Sequence, residues 1–90
     1  MELEREDIKG KILYKLCRGG SGRHLSEHDM LTGFPRSDVG TIKIILDEMV
    51  KERLIYSKPT QFGPQYFVNQ GKKKEVLDLI EKFKSKKFDA

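Results

Sequence analysis

The sequence predicts an α+β domain that is mostly helical, and three observations predict it. Apolar residues recur at helical spacing in four separate segments. Residues 54–69 switch to β-type composition interrupted by a turn rich in Pro and Gly. The chain has 90 residues, enough for one modest core but hardly for a core plus a deep substrate cavity. At 37% hydrophobic and 36% charged residues it is polar for a globular domain. Ile, Leu, Val, Met and Phe nevertheless fall in periodic clusters, which argues against disorder.

The first helix is expected from about Leu3 to Arg18, because Ile8, Ile12 and Leu16 share one face and Leu13 and Cys17 widen it. Its acidic first turn and basic last turn suit the helix dipole. Gly10 within it costs up to about 1 kcal/mol relative to alanine, which the apolar stripe should outweigh. Gly19-Gly20-Ser21-Gly22 ends that helix in a loop without the ending of a phosphate cradle. After a brief extended piece at Arg23-His24-Leu25, Ser26 caps a second helix from Glu27 to about Thr32, with Met30 and Leu31 inward. Gly33-Phe34-Pro35 makes a turn, and Ser37 or Asp38 caps a third helix that runs to about Arg53. Val39, Ile42, Ile45, Leu46, Met49 and Val50 form its inner face. Residues 54–58 and 65–69 read as an antiparallel hairpin across the turn 59–64. A fourth helix follows from Lys72 to about Phe88, with Val76, Leu77, Ile80 and Phe83 on its apolar face. That face either packs on the first helix or meets a second copy of the chain.

Charge is unevenly spread. Residues 1–7 carry a net −3, residues 9–24 a net +5 and residues 72–90 a net +3, while 36–53 is neutral. Basic ends around a neutral middle fit an anionic partner, although lysine-rich surfaces also serve solubility. The single cysteine, Cys17, excludes an internal disulfide framework. With no long apolar run and an acidic start lacking an apolar core, the expectation is a cytoplasmic protein without a membrane segment. Cys17, His24, Glu27, His28 and Asp29 form the one plausible metal-ligand cluster, but without paired ligand spacing no metal is expected. Cys17 lies on an inward stripe with no oxyanion cradle indicated, so neither an enzyme nor a cofactor is expected.

The order helix, extended piece, helix, turn, helix, hairpin, helix carries a resemblance. Leu25-Ser26-Glu27 opens a supporting helix, Gly33-Phe34-Pro35-Arg36-Ser37 makes a turn, and Thr41-Ile42 followed by Leu46 and Met49 matches a recognition helix. Glu52-Arg53-Leu54-Ile55 stands where a charged residue, Gly, Leu and Ile or Val usually join helix to ribbon. Residues 1–71 thus resemble a winged helix-turn-helix domain of small bacterial and archaeal transcription regulators, a three-helix bundle plus a two-stranded β wing. Residues 72–90 form the added C-terminal helix. Arg53 in place of glycine implies a helix end closed without a left-handed glycine.

The resemblance implies binding of double-stranded DNA for transcription regulation, and a homodimer formed through the C-terminal helix. Arg23, Arg36, Lys43 and Lys58 are then candidates for phosphate or groove contact. Ser37 and Thr41 offer short hydrogen bonds, and Gly40 allows close approach. Ile44, opposite the core stripe, is scattered surface or a contact to a thymine methyl or a protein partner. Phe62, at the ribbon tip, either folds back on its hairpin or inserts into a minor groove. Asp47 and Glu48 on this helix would repel phosphate unless paired with Lys43 or Lys51 along it. These acids, with Ile44, motivate the alternative of a winged-helix protein–protein interaction module, an assembly subunit or adaptor.

Overall fold

A computed structural model describes residues 4–18 and 24–88. Helix α1 spans Arg5–Cys17, strand β1 Leu25–Ser26, α2 Glu27–Leu31, α3 Val39–Lys51, β2 Ile55–Thr60, β3 Gly63–Val68 and α4 Lys73–Phe88, with short 3₁₀ turns before α3 and α4. This is the expected α+β, mostly helical order, with one addition. The sheet has three antiparallel strands in the order β1-β3-β2, not two. Leu25 pairs with Tyr66 and Ser26 with Gln65. The pairing satisfies the backbone of the short extended piece while both Leu25 and Tyr66 enter the core.

Helix ends follow from local chemistry. The Glu4 N–H donates to the Asp7 carboxylate at 3.3 Å, which allows Asp7 to be buried. The Ser26 hydroxyl accepts from the Asp29 N–H at 3.2 Å, as expected for the cap of α2. At α3 the expected side-chain cap is absent. The chain enters that helix through a 3₁₀ turn in which the Asp38 N–H donates to the Pro35 carbonyl at 3.0 Å, so backbone takes the place of Ser37 or Asp38 side chains.

The ribbon is longer and its loop tighter than the expected turn 59–64. Pairing continues through Pro59 opposite Pro64 and Thr60 opposite Gly63, leaving two loop residues, Gln61 and Phe62. The Thr60 hydroxyl donates to the Gly63 carbonyl at 2.6 Å and accepts from the Phe62 N–H at 3.2 Å. Gly63 sits at φ +101°, which closes the turn where other residues are strained.

The core joins Ile12, Leu13 and Leu16 of α1 to Ile42, Ile45, Leu46 and Met49 of α3, with Met30, Leu54 and Ile55. Helix α4 lies on α1 through Val76, Ile80 and Phe83. Leu77 departs from its expected inward placement and is 47% exposed, because it lies about 100° around the helix from Val76; Leu79 takes the inner position instead. Gly10 is the closest point of this crossing. A methyl added there would fall on the Leu79 carbonyl oxygen and lie 2.7 Å from Phe83 Cβ. Helix propensity favours alanine at position 10, but the crossing forbids it. Gly10→Ala is therefore expected to destabilise the fold by about 1–3 kcal/mol, the range for overpacking. Urea unfolding checks the sign: a gain in stability would show that α4 does not dock here.

The end of α3 closes without a left-handed glycine, as expected, but not without a left-handed residue: Arg53 stands there, at φ +62°. The Arg53 N–H donates to the Val50 carbonyl and the Leu54 N–H to the Met49 carbonyl, both at 3.0 Å, the paired bonds of a Schellman end. Burial of Leu54 and these bonds hold the turn despite the Cβ. Arg53→Gly is expected to stabilise the protein by about 0.5–1 kcal/mol, read as a rise in Tm of a few degrees. An unchanged or lower Tm would contradict strain at this position.

Candidate nucleic-acid interface

With Ile42, Ile45, Leu46 and Met49 turned inward, α3 presents Gly40, Ile44, Asp47 and Lys51 along the centre of its outer face. All four are exposed, and Ile44 retains 59% of its accessible surface. An added Cβ at Gly40 would meet no atom within 4 Å, so the helix surface is open there. Arg36 and Ser37 are exposed on the 3₁₀ turn leading into α3, and Thr41 is exposed on its flank. Lys43 is exposed too, with Glu27 at 3.7 Å. Lys58 stands on β2 opposite Gln65, and Phe62 at the ribbon tip is 88% exposed, so its ring does not fold back on the hairpin. Arg23 lies outside the described residues. The structure thus places Arg36 and Ser37 on the 3₁₀ turn that leads into α3, Gly40, Thr41, Lys43 and Ile44 on α3 itself, and Lys58 and Phe62 on the ribbon joined to it through Arg53.

The two acids of α3 have different fates. Glu48 pairs with α1 and not with Lys43 or Lys51 of its own helix. It binds Arg5 and also accepts from Lys9 Nζ at 2.8 Å. The same ammonium reaches Glu52 at 2.9 Å, and Lys9 is only 8% exposed. Burial disfavours the charged lysine, but its hydrogen bonds to Glu48 and Glu52 outweigh that and hold its pKa above the ordinary value. The hydrogen bond from Lys9 lowers the Glu48 pKa in turn. Asp47 has no ion-pair partner among the described residues.

Because Glu48 is more acidic in the folded state, its contribution to stability is complete above the usual glutamate pKa and disappears as pH falls through its lowered value. Urea midpoints should therefore fall as pH drops below about 4. Glu48→Gln should lower stability near neutrality and flatten that acid limb. Identical acid limbs in the two proteins would contradict the pairing.

The basic stretch of α1 is also engaged internally. Lys11 donates to the Gly33 carbonyl at 2.8 Å and lies 4.4 Å from the centre of the Phe34 ring. Lys15 donates to the Asp29 carbonyl at 2.6 Å and to that of Thr32, closing the C-terminal end of α2. Outward charge falls instead to Arg36, Lys51 and Lys58, which are exposed with no carboxylate partner among the described residues.

Sequence reasoning did not single out a row of rings across the sheet. His24 stacks on Phe67 with centroids 4.8 Å apart, and Tyr56 lies 5.4 Å from Phe67 on its other side. The register Tyr56 opposite Phe67 is the signal that reveals it. Cys17 is half-buried, and burial raises its thiol pKa. Among the described residues no three His, Cys, Asp or Glu side chains gather as a metal site, and no helix is long and apolar enough to cross a membrane. In comparisons with known proteins, no family model, curated protein or solved structure matches this chain.

Proposed function

We propose that this chain is a winged helix-turn-helix protein that binds duplex DNA as a transcription regulator, with α3 in the major groove and the β2–β3 ribbon beside a neighbouring backbone strand. The observation that carries the reading is the open outer face of α3 set beside a ribbon with a projecting tip. Withdrawal of Glu48 toward α1 supports it by removing one of two acids from the approach to phosphate. Arg36, Lys43, Lys51 and Lys58 supply the phosphate contacts. Two copies on a symmetric site would pair through α4, where Leu77 is an exposed apolar residue.

The test is a gel-shift titration at several salt concentrations, alongside solution mass. Four phosphate contacts give a slope of log affinity against log salt of about −4. Lys58→Glu should reduce its magnitude by about one. Duplex binding that is absent even at low salt removes the reading. A stoichiometric complex with another protein, lost on Ile44→Asp, would instead establish an assembly module.

A further inference from the structure

The outer face of α3 carries no reader of adenine, and only lysine among the readers of guanine. Its centre offers no arginine, asparagine or glutamine to pair with guanine or adenine, and its one lysine, Lys51, stands at the C-terminal end of the helix. It offers an exposed β-branched apolar side chain, Ile44, and an exposed carboxylate without an ion-pair partner among the described residues, Asp47. Both have a counterpart on a pyrimidine edge. In the major groove thymine shows a C5 methyl, an apolar surface, and cytosine shows an N4 amino group, which needs an acceptor. Elsewhere along phosphate an aspartate is a liability, but against an amino donor it forms a charge-assisted hydrogen bond.

The spacing agrees. Residues three apart on a helix have Cβ atoms roughly 5–6 Å apart, which spans one to two base steps of about 3.4 Å. Gly40, one turn before Ile44, carries no side chain and has open space in front of it, so this part of α3 can approach the base edges closely. Lys51, one turn beyond Asp47, is placed for the phosphate that borders the groove.

We infer that α3 selects pyrimidines on one strand, Ile44 covering a thymine methyl and Asp47 accepting from a cytosine N4 amino group one or two steps away. The inference rests on the DNA-binding reading and adds a sequence preference to it.

Selection of bound duplexes from a random pool tests it with the wild-type protein, Ile44→Ala and Asp47→Ala; both substituted residues are exposed, and circular dichroism confirms the fold of each variant. Wild-type sites should carry thymine close to cytosine on one strand. Replacing that thymine by deoxyuridine, which removes only the methyl, should weaken wild-type binding about fourfold, the equivalent of one buried methyl. Ile44→Ala should bind the two duplexes equally, and Asp47→Ala should lose the cytosine preference while keeping that for thymine. Duplex binding that is indifferent to the methyl, or a methyl effect that persists in Ile44→Ala, overturns the inference and leaves DNA binding standing. No duplex bound at low salt is a different result, which fails the DNA-binding reading itself.

Discussion

A single withdrawn ammonium, that of Lys9, fixes how α1 and α3 face one another. Taking a lysine charge out of water is costly unless carboxylates replace the lost hydration. Glu48 in the last turns of α3 and Glu52 at its C-terminal cap do so, at 2.8 and 2.9 Å. Two partners four residues apart define a rotation of the helix as well as a distance. Turning α3 away would strand a nearly buried charge, and the same turn would drag Ile42 and Met49 out of the core. The ion pairs and the apolar stripe therefore specify one arrangement, in which Gly40, Ile44, Asp47 and Lys51 are left facing outward.

Helix α1 meets every other helix with a different chemistry. Lys9 holds α3 by charge, Lys11 and Lys15 hold the end of α2 and the turn after it by donating to carbonyls, and Gly10 admits α4 by having no side chain. Net charge along a sequence is consequently a poor guide to surface potential here. The strongly basic stretch 9–24 looks like an anion-binding helix, yet three of its lysines complete hydrogen bonds inside the domain. The positive charge left facing outward includes Arg36, Lys51 and Lys58, around α3 and on the ribbon.

What was legible in the sequence was what depends on neighbours close along the chain. The inward stripe of α3, the Ser26 cap and the β composition of 54–69 were all readable, because each rests on local spacing. Gly10 looked like a helix defect because the carbonyl it makes room for is at Leu79. Glu48 looked like a barrier to phosphate because its partners, Arg5 and Lys9, are some forty positions away. Leu77 belongs to the apolar run of α4 but not to its inner face, because adjacent helical positions are turned about 100° from one another. Among the candidate interface residues, exposure of Ile44 followed directly from periodicity, whereas the projection of Phe62 required the hydroxyl of Thr60 and the short loop to be seen.

The strained turn at Arg53 links the helix, the ribbon and α4 into one presenting surface. Its carbonyl accepts from the Asn69 side-chain amide at 2.6 Å, and the Leu54 carbonyl accepts from the Asn69 N–H at 3.0 Å. Lys72 Nζ donates to the Glu52 carbonyl at 3.1 Å, while Asn69 also accepts from the Gly71 N–H at 2.9 Å. The end of α3, the start of β2 and the entry to α4 are thereby joined at one place. The angle between α3 and the ribbon is set within the fold, and the tight loop held by Thr60 and Gly63 does the same for the tip. Ordering these segments on binding would otherwise oppose association. A left-handed arginine is tolerated at this junction because a shift in its backbone would break the hydrogen bonds to Val50, Met49 and Asn69 at once. In that sense the strain at Arg53 belongs to the site, even though its side chain lies outside the proposed contacts.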